Sequence, residues 1–174
     1  MCSIHQIAAF ANQSIDLAYV FEPFLTRVLD QDLARMWWTS ADVYPNHEST
    51  VLFYGPSMVE KREPGQRFMV AFLRGVREVQ EQLIDTRDPA AIEAAVRWSN
   101  IKDPALWRKM ELQQRNPDGY NYRASLEYDL SWLAANGYVQ RAPRLDDMLD
   151  QSYVDYAIAR LGRYRPGCGA NPCR

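Results

Sequence analysis

A run of five apolar residues, at positions 17–21 (LAYVF), constrains the fold of this chain more than any other stretch. It follows an amphipathic helix that Asn12, or the pair Asn12-Gln13, can end, since asparagine tolerates the left-handed cap. It precedes Pro23, which fits the first turn of a new helix. Continuous apolarity is typical of a strand covered on both faces, as in a parallel sheet. The stretch therefore predicts a buried strand between two helices.

Two further short strands are predicted, at residues 36–38 (MWW) and 51–54 (VLFY). A polar loop over residues 41–49 separates them, and Gly55 with Pro56 ends the second. Helices and strands that alternate in this way indicate an α/β protein.

From Pro64 onward the pattern is helical. A long amphipathic helix of about twenty residues is predicted, whose buried face consists of apolar residues at spacings of three and four: Phe68, Phe72, Val76, Val79 and Leu83. This pattern places Arg74 and Arg77 on the solvated face. Shorter helices are predicted at residues 90–98, 104–113 and 122–135, and from Ser152 to a stop at Gly162. Three short strands are too few for a complete sheet, so the predicted fold class is a helix-rich α/β fragment.

Composition excludes several functional classes. The 174 residues carry a net charge of -2, which gives no basic field for nucleic-acid binding. No stretch approaches the roughly 20 apolar residues of a membrane span. The N-terminus has neither the basic region nor the apolar core of a signal peptide. The chain as given is therefore expected to be cytoplasmic, or to be a truncated product.

Cysteines and histidines indicate no metal centre. Cys2, Cys168 and Cys173 lie at the two ends of the chain, and His5 and His47 are the only histidines. This spacing matches no metal-site pattern, so no metal or other cofactor is expected. The two C-terminal cysteines either form a disulfide across a small loop or lie in a disordered tail.

Several segments together resemble one family. They are residues 8–18 (AAFANQSIDLA), 21–24 (FEPF), 44–47 (YPNH) with 51–54, and 66–77 (QRFMVAFLRGVR). In this order they resemble the solute-binding proteins of ABC importers of the nitrate/sulfonate/taurine type. The resemblance extends from about residue 3 to residue 164 and covers only the C-terminal half of such a protein.

The resemblance implies a two-lobed fold of the periplasmic-binding-protein type II class. Residues 1–50 would form the C-terminal part of lobe two with a ligand-cleft loop, residues 51–164 the crossover strand and the helices that wrap lobe one, and residues 165–174 a disordered tail. Full-length members act in the periplasm or at the membrane. The implied partners are a small molecule (nitrate, a sulfonate, taurine or a pyrimidine precursor) and an ABC permease in the membrane.

Five residues are candidates for ligand contact: Glu22, Phe21, Tyr19, Tyr44 and Tyr54. A carboxylate at the end of a strand can accept hydrogen bonds from an amino group, and aromatic rings can stack on a flat ligand. The alternative for Glu22 is an electrostatic contact with the N-terminus of the helix that follows it. The alternative for the rings is core packing.

The chain is not expected to be an enzyme. General acid–base catalysis by Glu22 would need a second titratable group, and the sequence places none beside it. Two other functions remain open. A thiamine-pyrimidine synthase of the same fold would need a cysteine-rich iron-binding motif, which these residues do not contain. A ligand-sensing domain of a transcription regulator would need a helix-turn-helix upstream.

Overall fold

The computed structural model describes residues 3–167, with side chains from residue 5 onward. Helices dominate the described chain. In chain order they are α1 (Ser3–Ala11), α2 (Phe24–Asp30), α3 (Ser40–Val43), α4 (Pro56–Glu60), α5 (Arg62–Glu78), α6 (Pro89–Trp98), α7 (Pro104–Lys109), α8 (Arg123–Ala135) and α9 (Ser152–Leu161). A π-helical stretch, Val79–Asp85, continues α5, and a short 3-10 helix spans Leu145–Asp147.

The predicted strands are absent, because no residue from 3 to 167 lies in a β-strand. Residues 17–21, 36–38 and 51–54 are irregular in conformation. Leu17, Tyr19 and Phe21 are exposed rather than covered on both faces. A strand persists only when a neighbour takes up its backbone hydrogen-bonding groups, and these segments have no such neighbour within the described chain. The predicted α/β, periplasmic-binding-protein type II-like fold class, with its crossover strand at 51–54, is therefore wrong.

Most of the predicted helices are confirmed, and their ends follow the capping residues. The carboxylate of Asp88 accepts hydrogen bonds from the backbone N–H groups of Ala90 and Ala91 at the start of α6. Gly137 and Gly162 have φ angles of 76° and 72° just after α8 and α9. This left-handed region favours glycine, so these residues end the two helices. The helices α3 and α4 were not predicted: α3 lies mostly within residues 41–49, which were expected to form a loop, and no helix was assigned to the residues of α4.

The buried face of α5 is shifted by one position along the sequence from the predicted face. Met69, Leu73 and Arg77 are buried, whereas Phe68 and Phe72 are 42% and 37% exposed. The prediction that Arg77 lies on the solvated face is wrong, because its side chain finds polar partners inside the protein. Arg74 is exposed, as predicted. A pattern of apolar residues cannot indicate that an arginine is buried. The prediction based on that pattern therefore chose the neighbouring face of the helix.

The chain divides into two compact units, each made of two separate segments. Unit 1 comprises Met1–Thr39 and Val79–Gln114, and unit 2 comprises Ser40–Glu78 and Arg115–Arg174. The predicted boundary lies between residues 50 and 51, and each unit contains residues from both sides of it. The assignment of these residues to two lobes stays a prediction.

Unit 1 has its principal apolar cluster between α6, α7 and the π-helical stretch. The cluster consists of Leu83, Ile92, Leu106, Trp107 and Met110. The indole Nε1 of Trp107 donates to the backbone carbonyl of Ile101 at 3.0 Å, so the one polar atom of this ring is satisfied.

Unit 2 is centred on the packing of α5 against α9. Its buried cluster consists of Met69, Leu73, Tyr153, Val154, Ala157 and Leu161. A Cβ placed on Gly65 would lie 2.6 Å from the Tyr153 ring. Glycine at this position thus permits the close approach of the two helices.

Two predictions fall outside this description. The pairing of Cys168 with Cys173 and the predicted tail at 165–174 concern residues that lie wholly or mostly outside the described range. Among the described residues, no helix combines the length and the apolarity needed to cross a bilayer.

Candidate functional site

The five predicted ligand residues are divided between the two units. Tyr19, Phe21 and Glu22 belong to unit 1, and Tyr44 and Tyr54 belong to unit 2. We describe the surroundings of each group within its own unit.

Glu22 lies immediately before α2 and binds backbone and side-chain donors. Its carboxylate accepts from the backbone N–H of Thr26 at 3.1 Å and from the Thr26 hydroxyl at 2.8 Å. It also accepts from the backbone N–H of Glu111 at 3.2 Å. A negative charge at a helix N-terminus is favourable, and here it also joins α2 to the segment after α7. A carboxylate offers about four acceptor positions, so these three donors leave about one position for a ligand.

Tyr19 and Phe21 form an exposed aromatic group beside Glu22. Their ring centroids are 4.9 Å apart in an edge-to-face arrangement, and the Tyr19 ring lies 6.4 Å from that of Trp38. Tyr19 and Phe21 are 52% and 58% exposed. The core-packing alternative for Phe21 does not describe this position, and both rings are accessible to a flat molecule in solution.

Tyr44 lies in a polar cluster between the loop that follows α3 and helix α8. Its hydroxyl lies 3.1 Å from the Asp129 carboxylate and 3.2 Å from the Ser125 hydroxyl. Its ring stacks on His47 at 4.6 Å, and Nε2 of His47 lies 3.6 Å from the Asp129 carboxylate. Burial, together with the Asp129 carboxylate, raises the pKa of Tyr44 above its ordinary value of 10.0. The hydroxyl therefore stays protonated at neutral pH.

Glu48 binds the same loop to the start of α8 and to the residues before it. This role of Glu48 was not predicted from the sequence. Its backbone N–H donates to the Ser125 hydroxyl at 2.9 Å. Its carboxylate accepts from the Asn121 side-chain amide at 3.2 Å and from the backbone N–H of Tyr122 at 2.9 Å. These partners are more than 70 residues away in sequence, so no local pattern could have indicated them.

Tyr54 is part of the packed interior of unit 2. Its ring stacks on that of Tyr153 at 4.5 Å and contacts Phe68 edge-on at 6.4 Å. Its hydroxyl is buried and has no hydrogen-bond partner within the described chain. Burial, followed by electrostatic interaction with Tyr153 and Asp150, raises the pKa of Tyr54 above 10.0. This environment is that of a core residue, and a role in ligand contact stays a prediction.

A shallow groove in unit 2 lies beside α8 and was not predicted either. Arg123 lines it and pairs with Asp146 at 2.7 Å and with Glu127 at 3.5 Å. Leu130 and Leu145 supply apolar surface. Because the charged groups of the groove are paired with one another, it presents no unpaired charge that would select a ligand.

The described residues contain no group of three or more His, Cys, Asp or Glu side chains placed to hold a metal ion. The His47–Asp129 pair has the Tyr44 hydroxyl beside it but no third ligand. The chain matches no protein-family model, no curated protein and no solved structure.

Proposed function

We propose that this chain is a small-molecule-binding component of an ABC importer, with a substrate of the nitrate, sulfonate, taurine or pyrimidine-precursor kind. The observation that supports this proposal is the construction of two compact units from alternating segments of the chain. The chain passes from one unit to the other after residues 39, 78 and 114. Ligand-binding proteins that work by hinge motion, such as the periplasmic binding proteins, are likewise built of two compact bodies. The proposal concerns ligand capture and delivery to a permease, and it does not depend on the strands.

The residues beside Glu22 narrow the class of ligand. A carboxylate repels nitrate or a simple sulfonate, but it attracts an ammonium or amino group. The exposed rings of Tyr19 and Phe21 offer surfaces for stacking or for contact with a cation. We therefore expect a ligand that carries an amino group, such as taurine or an aminopyrimidine, to be preferred over an anion without one.

The test is an NMR titration of the isotope-labelled chain with taurine, an aminopyrimidine and ethanesulfonate. Taurine and ethanesulfonate form a matched pair because they share the sulfonate, while only taurine carries an amino group. We expect weak binding, with Kd on the order of 1 mM, because few groups contact the ligand. The amide signals of Tyr19, Phe21 and Glu22 should shift with taurine or the aminopyrimidine, and little with ethanesulfonate.

Two variants test whether the ligand binds at the rings beside Glu22. Tyr19→Ala should abolish the shifts, whereas Trp98→Ala should retain them, since Trp98 is an exposed ring in unit 1 that is 81% accessible and distant in sequence. Shifts confined to other parts of the chain, or no shifts with any of the three compounds, would contradict the proposed site.

A further inference from the structure

Unit 1 carries a large exposed apolar surface. We define the apolar patch as Leu17, Tyr19, Phe21, Met36, Trp37 and Trp38, which are between 41% and 77% exposed. The contact of the Tyr19 ring with those of Phe21 and Trp38 joins the two segments that supply these residues. The rings of Tyr19, Phe21 and Trp38 therefore form the contiguous centre of the patch.

The patch approaches the size of a protein interface. Large side chains of this type have roughly 150–250 Å² of surface each, so six that are about half exposed offer on the order of 600 Å². Exposed apolar patches above a few hundred Å² mark interaction sites, and a standard interface buries about 800 Å² on each partner. A partner that covers the patch and its margin would reach that size.

The backbone beneath the patch limits what can cover it. Within the described chain, the backbone N–H groups of residues 16–20 and 34–38 donate to no backbone carbonyl. Exposure alternates along residues 17–21, because Leu17, Tyr19 and Phe21 are exposed while Ala18 and Val20 are partly covered. This period of two resembles the edge of a sheet, and such an edge binds another polypeptide backbone. A lipid surface would leave these donors unpaired.

We propose that the apolar patch is the contact surface of a dimer formed with a second copy of this chain. Residues 17–21 of the two copies would lie antiparallel about a two-fold axis, so that those of their backbone groups that have no partner within the chain pair reciprocally. The Tyr19 carbonyl already accepts from the Gln6 side chain, and the Phe21 carbonyl from the start of α2. The area supports a dimer of this kind, and the net charge of -2 opposes association only weakly. This inference rests on the patch and not on the proposed transport function. A dimer of this kind would cover the rings of Tyr19 and Phe21, so dimer formation and the proposed ligand would compete for them.

Sedimentation velocity over about 1–200 µM tests the proposal, since association must increase with concentration. We expect a monomer–dimer equilibrium for the unaltered chain. Leu17→Lys with Trp37→Lys should weaken the dimer at least about tenfold, because two charges enter the contact. Trp98→Lys, which places the same charge on an exposed tryptophan outside the patch, should leave the equilibrium unchanged.

Hydrogen exchange provides a second readout that does not depend on the variants. Exchange of the amides at residues 17–20 should slow as the concentration of the unaltered chain rises, because these donors become paired. A monomer throughout the concentration range would overturn the proposal. So would a dimer that the double variant does not weaken, or one in which these amides exchange at a concentration-independent rate.

Discussion

The guanidinium of Arg77 donates to the carboxylate of Asp118 across 3.0 Å in the interior of unit 2, where the two side chains are only 2% and 17% exposed. The same guanidinium donates to the backbone carbonyl of Pro117 at 3.0 Å and to that of Gly162 at 2.8 Å. Asp118 also accepts from Arg163 and from the backbone N–H of Tyr164. One buried arginine thus connects α5 with the segment before α8 and with the end of α9.

Replacement of Arg77 by leucine should lower the free energy of unfolding by roughly 3 kcal/mol. Two carbonyls lose the donor that Arg77 supplies, and the buried carboxylate keeps only Arg163 and the Tyr164 N–H as donors within the described chain. Urea denaturation measures this change. Arg74→Leu is the matched control on the exposed side of the same helix, and its effect should lie within about 0.5 kcal/mol. A loss below about 1 kcal/mol for Arg77→Leu would show that this contact does not hold the unit together.

The two stacked tyrosines of unit 2 should respond oppositely to the loss of a hydroxyl. Tyr54→Phe removes a buried hydroxyl that has no partner and should stabilise the protein by about 1 kcal/mol. Tyr153→Phe removes a hydrogen bond to the carbonyl of Met58 at 2.9 Å and should destabilise it by about 1 kcal/mol. Thermal unfolding of both variants measures the difference. Equal changes of the same sign would refute the distinction between the two hydroxyls.

Loss of the Glu22 carboxylate should destabilise unit 1. Glu22→Ala leaves the backbone donors of Thr26 and Glu111 without this acceptor, and we expect a cost of about 1–2 kcal/mol. Glu22→Gln keeps one acceptor oxygen and should cost less. Glu93→Ala, at an exposed glutamate on α6, is the control and should have little effect. Chemical denaturation followed by tryptophan fluorescence gives these values, and a neutral Glu22→Ala would contradict the assigned contacts.

Asp150 should contribute to stability at neutral pH but not in strong acid. Its carboxylate accepts from the backbone N–H of Ser152 at 2.8 Å at the start of α9. Its contacts with Ser152 lower the pKa of Asp150 below the ordinary value of 3.8, and Arg62 adds to the effect. Because the folded-state pKa is lowered, the stabilisation is complete above the ordinary pKa and is lost as the pH falls through the folded-state value.

The variant Asp150→Asn should therefore be less stable than the unaltered chain at pH 7, by a few tenths of a kcal/mol at this half-exposed position. The difference should disappear as the pH falls well below 3.8. Denaturation curves at neutral and strongly acidic pH measure it. A difference that persists unchanged in acid would show that the charge of Asp150 is not its source.

Helices could be predicted from the sequence because their signals are local. Asp88, Asp103 and Gly137 lie within a few residues of the helix ends that they cap. Strands could not be predicted in the same way. The apolar run at 17–21 has the side chains of a strand, but a strand also needs a partner distant in sequence, and no local pattern supplies that information.

The contacts around the candidate residues could be predicted only in part. The position of Glu22 before a helix follows from Pro23, and its first partner, Thr26, is four residues away. Its other partner, Glu111, is 89 residues away. The bond from Arg77 to Gly162 spans 85 residues. Such pairs arise from tertiary packing, which explains why the buried role of Arg77 was missed.

The alternation of chain segments between the two units has a consequence for limited proteolysis. In unit 1, Lys109 pairs with Asp30 at 2.8 Å and the backbone of Glu111 donates to Glu22, so residues before 40 hold residues after 78. A single cut between residues 39 and 40 would therefore leave both segments of unit 1 in place. After a cut between residues 114 and 115, the two segments of unit 2 would stay together through the packing of α5 against α9. The nicked protein should remain one particle under native conditions and separate into fragments only in denaturant.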